Sequence, residues 1–267
     1  KRQEGNWVPN YVIKSPRECK SIVVKPEDLK YRVLMIHKGK KDLTGTKVLK
    51  YIEEGERKEF DKRPTCSSRE RWYDLGKRPQ SPININYLIN DIARCFVGKV
   101  WVSDDFQELH TNRNIAPFLN SSLFWFFQNL TGRTSFGGGL LKIQTYEFKM
   151  LPVCLISRHK RGIAKAFSSL LCRSVGPVFS ELGAPSPDEV SLDKVKPDRR
   201  ELDKIIMGDT LGLTEEEQVE VYRAVVDLVK SRIEKAKSLK NDKIVGGINI
   251  SSFKRSVIER IKRETLE

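Results

Sequence analysis

A chain of 267 residues holds one large domain or two modest ones, and 39% hydrophobic with 31% charged residues supply a core under a heavily charged surface. The 49 Lys and Arg against 35 Asp and Glu leave a formal charge of +14, so a polyanionic partner is expected. No apolar run reaches the about 18 residues of a membrane span, KRQEGNWVPN has no signal-peptide core, and an odd number of cysteines argues against a secreted disulfide scaffold.

From the N-terminus, Lys1 stands where an initiator Met would, which reads as a fragment, and the chain is placed in the cytoplasm with no membrane partner. SIVV (21–24) and YRVLMI (31–36) are expected strands, and Thr46 is the expected cap of a helix through KVLKYIEEGERKEF. ARCFV and VWVSDD flank Gly98-Lys99, a two-residue hairpin loop by type. IAPFLNSSLFWFFQNLTG, starting at Ile115, is apolar nearly all round, which predicts a buried helix under the sheet, and LLKIQTY (140–146) is a further short strand. GAPSPDEVSLDKVKPD (183–198), with three prolines, reads as an exposed linker. Beyond it, Thr214 and Glu217 form a capping box, and Tyr222, Val225, Val226, Val229, Ile233 and Ala236 repeat at helical spacing. SSFKRSVIERIKRE (251–264) is expected to be a second helix. The fold class is α+β: a mixed sheet with a buried helix over residues 1–155, then a linker and helical segment over 156–267.

Charge is uneven along the chain. Residues 62–78 hold Lys62, Arg63, Arg69, Arg71, Lys77 and Arg78 against two acids, and residues 133–173 are basic except for Glu147. Residues 181–220 reverse the sign, which would turn that stretch away from phosphates. In RPTCSSRERWYDLGKR (63–78), guanidinium groups alternate with hydroxyls and an aromatic pair, the mixture a groove-facing loop uses; a surface loop merely anchored by Trp72 and Tyr73 has the same composition.

Catalytic and metal-binding signals are weak. Cys19, Cys66, Cys95, Cys154 and Cys172 include no Cys-x-x-Cys pair and read as buried, reduced thiols. SFGGGLLK (135–142) lacks the Gly-Lys-Ser/Thr ending of a phosphate loop. Glu147-Phe148-Lys149 has the Glu-x-Lys spacing of metal-dependent nucleases but no upstream Pro-Asp partner, and no Pro-Pro occurs for a methyl-transferring tetrapeptide. The rival readings are a nuclease subunit around Glu147 and Lys149, or an assembly module binding an acidic protein.

YVIKSPRECKSIVV, GTKVLKYIEEGER, RPTCSSRERWYDLG, FLNSSLFWFF and GGGLLKIQTYEFKMLPV occur in an order that resembles the C-terminal specificity domain of class I, TaqI-like adenine DNA methyltransferases of restriction-modification systems. The resemblance covers roughly 11–155 and continues through LTEEEQVEVYRAVVDLVKSRIEKAK. LNSSLFWFFQNLTGRTSFGGGLLKIQTYEFKMLPV is also similar to target-recognition domains of type I specificity subunits, with Leu151 and Pro152 closing the domain. The resemblance implies a target-recognition role on double-stranded DNA, with the chain's own N-terminal methyltransferase domain as its second partner. That absent domain would carry S-adenosylmethionine and flip an adenine; no cofactor, metal or catalytic residue is assigned to this chain, which alone is expected not to be an enzyme. The expected DNA contacts are Arg63, Thr65, Ser67, Arg69, Arg71, Arg133 and Lys142, with Trp72 and Tyr73 as support. A glycine turn at Gly137, Gly138 and Gly139 would let backbone approach DNA, and Arg158, Lys160 and Arg161 would lie on phosphates.

Overall fold

The computed structural model describes residues 2–3, 6–7, 9–134, 138–154 and 160–240, with no account of the side chains of residues 2–7, 160 and 238–240. The expected helix at 251–264 lies outside the described residues. Strands β1 (Arg2–Gln3) and β2 (Asn6–Trp7) pair with each other. Strands β3 (Tyr11–Ile13), β4 (Tyr31–Arg32), β5 (Ser81–Asn86), β7 (Cys95–Val102) and β8 (Phe106–Leu109) make a mixed five-stranded sheet in the order β4-β3-β7-β5-β8. Only the β3–β7 pairing is parallel within that sheet. Strands β6 (Leu88–Ile89) and β9 (Leu141–Lys142) form a small separate ladder. The fold is α+β.

The centre of the sheet departs from the expected hairpin. Gly98 and Lys99 lie inside β7 as one continuous strand. Ser81 faces Val100 and Ile83 faces Val97, so Gly98 and Lys99 of β7 together oppose Pro82 of β5, which makes Gly98-Lys99 a bulge. A side chain at Gly98 would bring its Cβ within 3.1 Å of Val24 Cβ, because residues 21–24 lie along this edge of β7. That segment pairs only through isolated bridges, Val23 with Val97 and Ser21 with Ser174, rather than as the expected strand. YRVLMI is likewise strand only at Tyr31 and Arg32, with one further bond from the Val33 amide to the Asn10 carbonyl at 2.8 Å; the chain then leaves the sheet and buries Ile36 elsewhere.

Helices are α1 (Lys47–Arg57), α2 (Pro64–Ser67), α3 (Ala116–Leu119), α4 (Ser122–Thr131), α5 (Thr145–Phe148), α6 (Lys160–Leu171), α7 (Val178–Leu182), α8 (Pro197–Asp203) and α9 (Glu215–Lys240), with a π-helical stretch over 204–210. The expected single buried helix is broken into α3 and α4. Asn120 causes the break: its side chain bonds the Cys95 amide at 3.0 Å and carbonyl at 3.1 Å, tying the junction to β7. Ser121 Oγ then accepts from the Phe124 amide at 3.2 Å and restarts the helix. LLKIQTY is strand only at Leu141 and Lys142, since Gln144 and Glu147 form a capping box that opens α5. Thr46 and Thr214 cap α1 and α9, as their sequences predict: Thr46 Oγ1 accepts from the Leu49 amide, and Thr214 and Glu217 exchange bonds of 2.9 and 3.3 Å.

One hydrophobic cluster runs from Ile22 through Ile83, Val97 and Trp125 to Val229. It joins one face of the sheet to α3, α4, α6 and α9. Residues 183–198 belong to it and are no exposed linker: Ala184, Val190 and Val195 are buried, while Pro187 and Pro197 begin helical turns, where a missing amide costs nothing. Gly183 ends α7 at φ +67°, and a Cβ there would run into the Lys194 backbone.

Part of the acidity of 181–220 is paired inside this region. Glu181, fully buried, accepts from Arg173, Lys196 and Arg199 at 2.8–2.9 Å and from the Gly176 amide at 3.0 Å. Burial would raise the Glu181 carboxyl, but these cations and the amide hold it far below the usual carboxylate range. Arg199, also fully buried, donates to the Asn120 carbonyl at 3.0 Å and lies 3.9 Å over the Trp125 ring. Glu181, Asp198 and Asp203 are thus spent on internal partners, whereas Asp188, Glu189, Asp193, Glu201, Asp209, Glu215, Glu216 and Glu220 are exposed. None of the five cysteines is in a disulfide, but only Cys19 and Cys95 are buried; Cys66 and Cys154 are partly so and Cys172 is exposed. No described helix is long and apolar enough to cross a membrane.

Candidate nucleic-acid interface

The loop 63–78 is built on α1. This helix turns Ile52 and Gly55 inward to a small cluster with Ile36 and Leu43, flanked by Trp72 and Tyr73. Gly55 makes the approach possible, since a Cβ there would stand 2.7 Å from Trp72 Cζ2 and nearer still to Cη2. Trp72 Nε1 donates to Glu56 Oε1 at 3.1 Å, Tyr73 Oη donates to the Lys38 carbonyl at 3.1 Å, and the two rings meet edge to face at 5.9 Å. Glu56 also binds Lys40 at 2.6 Å, which with the indole holds its carboxyl below the usual range.

The basic residues of this loop differ in their commitments. Arg71 Nη2 donates to Asp74 Oδ2 at 3.0 Å. Asp74 in turn accepts from the Gly76 amide at 2.9 Å and meets His37 Nδ1 at 2.8 Å; these contacts keep its carboxyl low. Arg71 is thus bound within the loop. Arg69 donates to the Trp72 carbonyl at 3.3 Å and lines a cleft. Arg63 stacks its guanidinium 4.2 Å over the Phe60 ring before α2, whose Thr65 and Ser67 are exposed. Among the described residues Lys77 and Arg78 are exposed and in no ion pair.

The cleft beside Arg69 has a volume of about 480 Å³ and separates the α1 unit from the β4 edge of the sheet. Its walls carry Lys14, Tyr31, Arg32 and Tyr51 as well as Arg69 and Trp72, and no carboxylate. Lys14 Nζ lies 4.9 Å from the Tyr31 ring centre. Lys14, Tyr31, Arg32 and Tyr51 escape a reading of the sequence, because they come from three separated segments and none stands in a motif.

A second basic patch lies by the other edge of the sheet. Arg133 and Lys142 pair through backbone bonds of 2.8 and 2.9 Å, and Lys142 also pairs with Leu88 of β6. Gln107 Nε2 from β8 donates to the Ile143 carbonyl at 2.8 Å and holds this ladder to the sheet. Four strand spacings separate the two edges, roughly 19 Å. Arg133 bonds Glu147 and the Tyr146 hydroxyl, and Lys142 Nζ stands 5.5 Å over the Tyr87 ring.

Glu147 is mostly buried; one of its carboxylate oxygens takes Arg133, and the other accepts from the Gln144 amide at 2.8 Å. This commitment to a helix cap and an ion pair counts against the nuclease reading. Among the described residues, no group of three or more His, Cys, Asp or Glu side chains is placed to hold a metal ion.

The glycine turn serves two surroundings. Gly138, at φ +60°, has open space where a Cβ would be, whereas a Cβ on Gly139 would lie 3.2 Å from Ile233 Cα of α9. The Gly139 carbonyl also accepts from Arg232, a mostly buried α9 residue that bonds the Ile89 and Asn90 carbonyls as well. The close backbone approach at Gly139 is therefore to α9 and not to an outside ligand. Gly137 and Arg158 lie outside the described residues, as does the Lys160 side chain. Arg161 is exposed in the first turn of α6.

A family model described as the C-terminal domain of the type II methyltransferase M.Eco57I matches residues 20–174. No curated protein and no solved structure matches the chain.

Proposed function

The chain belongs to the family of type II methyltransferase C-terminal domains typified by M.Eco57I, and on that premise we propose that it is the DNA-specificity part of an adenine DNA methyltransferase of a restriction-modification system. One observation carries the reading beyond the family: a loop with six cations in 62–78, braced on α1 by Trp72 and Tyr73, faces a basic cleft free of lining carboxylates. Cations held on a rigid frame lose little entropy when they bind phosphates or a guanine edge. The Arg133–Lys142 ladder at the opposite edge supplies a second grip on the backbone, and Arg161 a third. Arg63, Thr65, Ser67 and Arg69 are the groups proposed to reach DNA from the loop, with Arg71 positioned through Asp74.

The methyl donor would sit in the chain's N-terminal methyltransferase partner. Among the described residues the glycine turn at Gly138 and Gly139 does not suit S-adenosylmethionine, since it spends Gly139 on α9 and its carbonyl on Arg232. No catalytic step is assigned to this chain.

The test is binding of the chain to short duplex DNA over a salt series, with and without the methyltransferase portion supplied. Log affinity falls linearly with log salt, by about 0.9 per phosphate neutralised. A salt-independent affinity, or binding to an acidic protein that survives competing heparin, rejects DNA in favour of an assembly role.

A further inference from the structure

We propose that the cleft between α1 and the β4 edge receives a single unstacked nucleotide of the bound DNA, its base against Tyr51 and Tyr31 and its phosphate on Lys14, Arg32 or Arg69. The proposal rests on the DNA reading above and adds a ligand site to it.

Two exposed aromatics are the first ground. Tyr51 is 63% exposed although its neighbour Ile52 is fully buried, and Tyr31 is 46% exposed on an edge strand. Neither ring is needed for the core, and both line the same cleft. Water-facing aromatic surface concentrated at one place marks a binding site more than a packing need.

Charge is the second ground. Lys14, Arg32 and Arg69 line the cleft with no acidic side chain among them, which selects an anionic ligand. Aromatic faces together with cations form the combination that single-stranded nucleotides use, stacking the base and neutralising the phosphate. An acidic peptide would use the cations but leave the tyrosine faces without a planar partner.

Size and stacking decide the state of the nucleotide. About 480 Å³ falls within the roughly 300–1,000 Å³ of pockets that enclose a small ligand, and it is far too small for a duplex. A base inside a duplex has both faces covered by its neighbours, so a tyrosine can stack only on one that has left the helix.

The experiment measures affinity of the full chain for two labelled duplexes of one sequence, one fully paired and one carrying a single extra unpaired nucleotide. The bulged duplex is expected to bind about 10-fold more tightly, within the range of one base–aromatic stack. Tyr51→Ala should abolish that preference and Tyr51→Phe should keep it. As Tyr51 is an exposed residue, neither change threatens the fold. Equal affinity of the wild-type chain for the two duplexes overturns the proposal while leaving salt-dependent duplex binding, and so the DNA reading, intact. An equal loss on both duplexes in Tyr51→Ala also overturns it, since the ring would then contribute to general binding. Failure to bind either duplex overturns both readings together.

Discussion

Gly55→Ala sets two effects of known size against each other. In an ordinary helix this change gains about 1 kcal/mol, because alanine is the better helix former. Here the added methyl would sit 2.7 Å from Trp72 Cζ2, so the indole must swing away. It would leave its bond to Glu56, worth about 1.5–3 kcal/mol to a charged acceptor, and its place beside Tyr73. Overpacking of this kind costs about 1–3 kcal/mol by itself. The costs exceed the gain, so the α1 unit is destabilised by about 1.5–5 kcal/mol net, an order-of-magnitude figure from those same terms. The loss is local, because this small cluster is separate from the main core. Thermal melting followed by tryptophan fluorescence should show the change, while duplex binding on a randomised pool loses site preference faster than total affinity. A raised melting temperature with unchanged preference would mean that Trp72 does not brace the loop.

The remaining expectations concern the buried charges and the extent of the chain. Because the Glu181 carboxyl is held low, its contribution is fully present above its unfolded value of about 4.3 and is lost as pH falls through the lower folded value. Glu181→Gln should cost about 3–5 kcal/mol at neutral pH and flatten the acid limb of a pH–stability curve; an unchanged limb refutes this role. Burial raises the Asp203 carboxyl despite Arg199 and the Ser122 and Tyr222 bonds, so its contribution is present below its unfolded value and fades as pH rises through the folded one. Stability of Asp203→Asn should therefore fall less than that of the parent chain as pH rises from the unfolded carboxyl value of about 3.9. A fragment ending at residue 174, where the family match stops, should show no cooperative melting transition, since it loses the α9 surface on which α4 packs; a sharp transition would show that the matched segment folds alone.

What could be read from the sequence was local hydrogen bonding. Thr46 and Thr214 announce their helices because a cap needs only a hydroxyl at the right position. Gly98-Lys99 misleads because the same pair suits a hairpin turn and a bulge; the choice is made by Ser81 and Ile83, which lie well upstream. The prolines of 183–198 suggest a linker, yet Pro187 and Pro197 stand where helical turns begin, and burial of Val190 and Val195 outweighs the surrounding polarity. Asn120 looks like any polar residue in an apolar helix until β7 supplies the Cys95 amide and carbonyl. The cleft is the least legible feature. Lys14, Arg32 and Tyr51 have ordinary neighbours, and nothing in the spacing of Tyr51 beside Ile52 separates it from a packing residue.

The family match and the hydrophobic core have different extents, and Arg232 shows why that matters to the interface. The match ends at residue 174, whereas the core continues to Val229. Arg232 reaches back from α9 to three backbone carbonyls, at Ile89, Asn90 and Gly139, on both sides of the β6–β9 ladder. Burial lowers its guanidinium to about 10 without removing the charge at neutral pH, so these oxygens meet a cation inside the fold. Losing Arg232 would take this donor from the buried carbonyls of Ile89 and Gly139, at about 1–3 kcal/mol for each left unpaired. The ladder so held is the one that carries Lys142 and aligns Arg133. Helix α9 therefore positions a basic patch through a buried cation, and the geometry of that patch depends on residues beyond the matched segment.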